Sequence, residues 1–221
     1  MYKALIFLIL LVSFACQSDQ QSDDKAEVKK TYQFHDFKMD DFKAVVFDCD
    51  LGRVKLHVYA YGEPKMEIHE TYQKYISFET HNDTLFLTAN KTPKKSQMPE
   101  LEKHIRLYTP HLSYIKTSAT ELLVKAFTED HLEIVNDDSS LRMIGCKLDK
   151  STIRNQGTST IYLESTNYIH DLIAYNNDKS SFVTYAFVDK SFTMYSKDLK
   201  KVNFVNITPN GFKWSKTNLD S

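Results

Sequence analysis

The chain has 221 residues, 42% hydrophobic and 26% charged, with 28 Lys and Arg against 29 Asp and Glu for a net charge of −1. That length can bury a sizeable core in one domain, and the balanced charge offers no basic face to nucleic acid. Its three cysteines are too few for a disulfide framework.

The chain opens with Lys3, an apolar run over residues 4–12, and then Ser13, Phe14, Ala15 and Cys16. The run falls short of the roughly 20 residues that span a bilayer, so it reads as a secretory signal. Small residues before a lone cysteine resemble the lipobox of bacterial lipoproteins, in which that cysteine becomes the lipid-modified first residue. Phe14 and Ser13 depart from the usual Leu-Ala-Gly spelling. The expectation is a signal peptide over 1–15 and lipidation at Cys16. Residues 16–31 then form the lipidated cysteine and a polar tether with almost no apolar surface to bury, which reads as disordered. Cys49 and Cys146 both lie in apolar strand patterns. There, buried free thiols are a plainer reading than a bridge.

Over residues 34–90 the texture is that of strands: Val54, Leu56 and Val58 alternate with Arg53, Lys55, His57 and Tyr59, and Ile76 with Phe78 and Leu85 with Leu87 follow. No amphipathic helix of useful length appears. Pro93 and Pro99 mark a loop over 91–104 before Ile105 and Leu107 resume the pattern.

From residue 110 to 207 one pattern repeats about every twenty residues. A first series of strands starts at Leu112, Leu132, Ile153, Leu172 and Phe192, and a second at Leu122, Leu141, Ile161, Phe182 and Val202. Most have another inward candidate two places on, such as Ile134, Met143, Leu163, Met194 and Phe204. Polar turns rich in Asn, Asp, Gly and Ser separate the strands over 136–140, 155–159, 176–181 and 196–200. Such a unit cannot bury its apolar edge alone, but stacked copies about 4.8 Å apart share a continuous core. The pattern predicts an all-β chain, a parallel β-helix or β-roll with turns of about 20 residues, preceded by a less regular β part. Asn136, Asn155 and Asn176 are then expected to form an amide ladder along the axis. Gly211, Phe212 and Trp214 lie in a tail over 208–221 that would cap the coil, leaving the domain at 32–207.

Several stretches together resemble the auto-transporter adhesin head domain, or GIN domain, of Gram-negative cell-envelope lipoproteins. They are Phe42-Lys-Ala-Val45, Val54-Lys-Leu56-His-Val58, Asp83-Thr-Leu85-Phe-Leu87, the strand from Ile105 to Tyr108 leading into Thr109-Pro110-His111-Leu112, and the serial coil. The resemblance spans about residues 36–207 and rests on apolar spacing. The family usually places Gly-Ser in its inter-strand turns, whereas here only Gly145 and Gly157 lie in the coil. It implies a β-helical fold, an outer-surface address and no assigned reaction.

Other motifs compete with that reading. Val45-Val-Phe-Asp48-Cys-Asp50 resembles the first motif of haloacid-dehalogenase-like phosphatases, where the first Asp attacks phosphorus, the second is acid and base, and Mg²⁺ bridges the carboxylates and the phosphate. That chemistry needs an α/β scaffold, and Leu51-Gly52 follows where Gly-Thr is expected. His111 and His131 each precede a strand-opening Leu, but the next turns carry Thr152, Asp171 and Ser191, so the row has no third imidazole for a metal. His69-Glu70 lacks the second His of a zinc-protease motif. Tyr162, Tyr168, Tyr175, Tyr185 and Tyr195 suggest sugar-stacking platforms, against packing at core and corners. The sequence thus reads as a non-enzymatic, adhesin-like envelope module held at the outer membrane by its lipid, with no catalytic residue, metal or cofactor. Its partners would be the membrane and a surface glycan or protein. An enzyme, either the phosphatase at Asp48 and Asp50 or a polysaccharide-active β-helix, is the alternative.

Overall fold

Alternation at period two makes strands wherever the chain is described, and the computed structural model describes residues 33–48, 54–89, 105–177, 179–196, 199–204 and 212–215. The signal segment, Cys16, the tether, Cys49, Asp50, the loop at 91–104 and Gly211 lie outside these residues. The strands are β1 (Phe34–Lys38), β2 (Ala44–Asp48), β3 (Val54–Tyr59), β4 (Lys65–His69), β5 (Ile76–His81), β6 (Thr84–Ala89), β7 (Ile105–Tyr108), β8 (Tyr114–Ser118) and β9 (Thr120–Lys125). They continue as β10 (Thr128–Asp137), β11 (Ser140–Ile144), β12 (Lys147–Gln156), β13 (Thr160–Leu163), β14 (Tyr168–Asn176), β15 (Ser181–Thr184), β16 (Phe187–Ser196), β17 (Val202–Phe204) and β18 (Phe212–Ser215). A four-residue helix α1 (Glu70–Gln73) follows β4.

Two nine-stranded sheets result, in the orders β1-β4-β7-β3-β9-β11-β13-β15-β17 and β18-β16-β14-β12-β10-β8-β2-β6-β5. From β7 onward consecutive strands alternate between the sheets, and from β8 onward each strand pairs in parallel with the one two places on, while β7 lies beside β3 and β4. Antiparallel pairs among the described residues are confined to the N-terminal end: β1 with β4, β4 with β7, and β5 with β6. There Phe37 of β1 sets its ring against Phe78 of β5 at 5.1 Å, joining the outermost strands of the two sheets. Inward side chains from both sheets form one core.

The second apolar series registers as the spacing predicts, with Leu122 beside Leu141, Ile161, Phe182 and Val202 on successive strands. The first series does not. Ile153 lies opposite Ile134, whereas Leu132 lies opposite Ser151; in β8 it is Ile115 that faces Ile134, and Leu112 precedes that strand. Matching apolar to apolar missed this because Ser151 fills a core position at 0% exposure, donating its hydroxyl to the Leu132 carbonyl at 3.4 Å. At the far end Val202 is only half-buried and Phe204 is 38% exposed, because β17 is the last strand of its sheet and no further strand covers it among the described residues. Residues of the expected tail add β18, in parallel beside β16.

Polar ladders run along the stacked strands. Asn136 Nδ2 donates to Asn155 Oδ1 at 3.1 Å, and Asn155 Nδ2 to Asn176 Oδ1 at 2.7 Å, with all three side chains buried. A second ladder escaped the sequence reading: the Ser139, Ser159 and Ser180 hydroxyls accept from the backbone N–H of Thr120, Ser139 and Ser159 in turn. These contacts satisfy buried backbone groups that the turns between the two sheets leave unpaired. The corners themselves are left-handed, with Ala119, Asp138 and Gly157 aligned at one and Ala126 and Gly145 at another, all at positive φ.

Candidate functional site

The long strands β10, β12, β14 and β16 break their pairing at one level. Register passes from Glu129↔Leu148 to His131↔Lys150, and from Leu148↔Ile169 to Lys150↔Asp171, which leaves Asp130, Asp149 and His170 out of the ladder. Between β14 and β16 the same level carries a bulge, and such a break turns side chains outward. Just before it, Thr128, Lys147, Tyr168 and Phe187 stand in one row along the axis. Thr128, Asp130, Lys147, Asp149, Tyr168 and His170 wall a groove of about 490 Å³, which His111, Glu129 and Leu148 also line.

Tyr168 is held on three sides. Phe187 stacks on one face at 5.3 Å between centroids, the His170 ring meets it at 5.1 Å and a steep angle, and its hydroxyl donates to Asp189 Oδ2 at 2.5 Å. Asp189 Oδ1 lies 2.7 Å from His170 Nδ1. The Tyr168 hydrogen bond, then His170, holds the Asp189 carboxyl below the usual range, and the same bond raises the Tyr168 phenol. His170 Nε2 stands 3.7 Å from Asp149 Oδ1, and the Asp149 side chain is 70% exposed. Asp130 is exposed and has no hydrogen bond or ion pair among the described residues. Glu129 Oε1 is occupied, accepting from the Leu112 N–H at 3.0 Å and lying 3.4 Å from His111 Nδ1.

His111 and His131 do not align. His131 sits inside β10 opposite Lys150, its Nδ1 buried without a hydrogen-bond partner among the described residues, while His111 precedes β8 and pairs with Glu129. Among the described residues no three His, Cys, Asp or Glu side chains gather as metal ligands. Asp48 ends β2, between the parallel strands β6 and β8, and accepts from the Ser118 hydroxyl at 3.0 Å. His69 caps α1, accepting the Thr71 N–H at 3.2 Å, and burial lowers its pKa. Burial pushes the Cys146 thiol up to about 11, so the thiolate is scarce at neutral pH.

Two other features are structural. Tyr175 and Tyr195 stack at 4.7 Å, with the Arg154 guanidinium 4.4 Å from the Tyr175 centroid, so both faces of Tyr175 are occupied. Glu67, 8% exposed, accepts from Lys65 and Arg106 at 2.7 Å each and from Tyr108 at 3.0 Å. Burial disfavours its charge, but these donors outweigh burial and hold its pKa below the usual carboxylate value. The sequence reading named Tyr168 as one of several tyrosines but missed the groove. Its signal is a polar column, Asp130, Asp149, His170 and Asp189, which a search for apolar repeats passes over.

No family model matches the chain, and no curated protein does. Among solved structures, a protein of Bacteroides fragilis provisionally named an adhesin superposes with a TM-score of 0.57 at 15% identity, covering 84% of this chain and 93% of that one. Proteins of Parabacteroides merdae and Parabacteroides distasonis with the same provisional name give TM-scores of 0.45 and 0.47 at 15% and 9% identity, covering 85% and 75% of this chain and 98% and 79% of theirs. The chain shares its overall fold with the Bacteroides fragilis protein.

Proposed function

We propose that this chain is a non-enzymatic, adhesin-like module of the cell envelope: a parallel β-helix of the GIN type, carried on the outer membrane by lipid at Cys16. In this reading residues 1–15 are removed as a signal peptide, 16–31 tether the domain at 32–207, and 208–221 close its far end. The fold shared with the Bacteroides fragilis adhesin-named protein carries the reading. The lipobox-like residues before Cys16 supply the address, and two broad sheets with outward rows of side chains supply surface for a glycan or protein partner. Asp48 favours no phosphatase, because it stands in an all-β surrounding and its carboxylate takes a hydrogen bond from Ser118.

Three measurements test the proposal. Alkyne fatty-acid labelling of cells is expected to mark the wild type and not Cys16→Ser; equal labelling of both sinks the anchor. Cells displaying the chain should attach to glycan- or protein-coated surfaces better than cells lacking it. Turnover of a phosphomonoester with Mg²⁺ that Asp48→Asn abolishes would favour the enzyme instead.

A further inference from the structure

We propose that the groove beside Tyr168 is a saccharide subsite taking a neutral sugar ring with two adjacent free hydroxyls. This rests on the surface-module reading and adds to it a place and a ligand class. A sugar offers an apolar C–H face and a rim of hydroxyls, so a site for it needs an aromatic face open on one side and acceptors at its edge. Tyr168 meets the first need: Phe187 covers one face, and the row turns the other toward Lys147, with both residues lining the groove. Tyr175, covered on both faces, does not. The Asp189 hydrogen bond and the Phe187 stack fix the Tyr168 ring in advance, so binding orders little that is not ordered already.

The second need is met one rung earlier. The exposed Asp149 carboxylate presents two oxygens, which match two hydroxyls on adjacent carbons, and Asp130 follows along the same column. His170 Nδ1 lies 2.7 Å from Asp189 Oδ1, which directs Nε2 to the Asp149 side of the groove, where it offers a further hydrogen-bonding atom to a hydroxyl. Glu129, Asp130 and Asp149 outnumber Lys147 on the walls, so an acidic sugar is repelled.

Saturation-transfer NMR on the full-length protein tests this with glucose, galactose, mannose and N-acetylglucosamine against glucuronic acid and N-acetylneuraminic acid. At least one neutral probe should bind, with the acidic probes roughly tenfold weaker; Asp149→Ala and Tyr168→Ala should each weaken the neutral probe roughly tenfold. Tyr168→Phe, which keeps the ring, should retain binding, and Arg154→Ala should leave it unchanged. Failure of every neutral probe, preference for an acidic one, or indifference to both Asp149→Ala and Tyr168→Ala overturns the proposal. Asp149→Ala alters an exposed side chain, so its result does not depend on refolding. Cells that still attach to surfaces when the groove binds no sugar would overturn the groove proposal and leave the surface-module reading standing.

Discussion

At the scale of single residues, the corners carry strain. Ala126, exposed, holds φ at +69° and Ala119 at +50°, a region where a Cβ crowds the following carbonyl. Replacing Ala126 with Gly should raise stability by about 1 kcal/mol in urea unfolding, less the backbone freedom glycine gains when unfolded. The reverse changes separate two effects. A Cβ on Gly145 meets nothing within 4 Å, so Gly145→Ala costs the backbone term alone; on Gly157 it would stand 2.3 Å from Asp138 Oδ1, so Gly157→Ala should cost more. Glu67 gives a pH dependence. Its folded pKa lies below the ordinary value of about 4.3, so its contribution is complete above that value and lost as pH falls through the folded one. Glu67→Gln should therefore cost about 2 kcal/mol at neutral pH, a deficit that shrinks when unfolding is repeated below about pH 4.

At the scale of strands and ladders, shared contacts set the magnitudes. Asn155 joins three rungs, accepting from Asn136 and donating to Asn176 and the Ser181 carbonyl. Asn155→Ala leaves buried amide groups on both sides without that partner, and calorimetry should register a loss of about 2 to 4 kcal/mol. Truncating Leu141 or Ile161 to Ala opens a cavity between two adjoining strands and should cost about 2 to 5 kcal/mol, while Val202→Ala, half-buried at the sheet edge, costs well under that. These elements also show what the sequence could tell. The Leu122 series was legible because it stays apolar in every copy; the neighbouring series slipped by two residues because Ser151 breaks the apolar run while remaining inside. The asparagine ladder was legible because one residue type recurs. The serine ladder and the groove column were not, since serine is common in any turn and Asp, Asp, His and Asp share no apolar signal.

For the whole molecule, order should grade along the axis. Strands from β8 to β16 each have a partner on both sides, whereas β17 and β18 close the described sheets at one end and β1 and β5 at the other. Amide hydrogen exchange is expected to be slowest in β10, β12 and β14 and fastest in β17; uniform protection from end to end would mean that the rungs unfold as one unit. The aligned corners have a consequence for how such a molecule changes size. Because Asn136 and Asn155 each pass an amide hydrogen bond to the asparagine of the next rung, the gene segment between two of them is a repeating unit of length. An in-frame duplication of that segment would extend both sheets by about 4.8 Å and carry its own ladder residue, core pair and corner, leaving both ends as they were. A gain of one residue inside a strand would instead turn the inward side chains beyond it out. Evolution is thus offered whole rungs as its step, and a protein of this build can adjust its length in fixed increments.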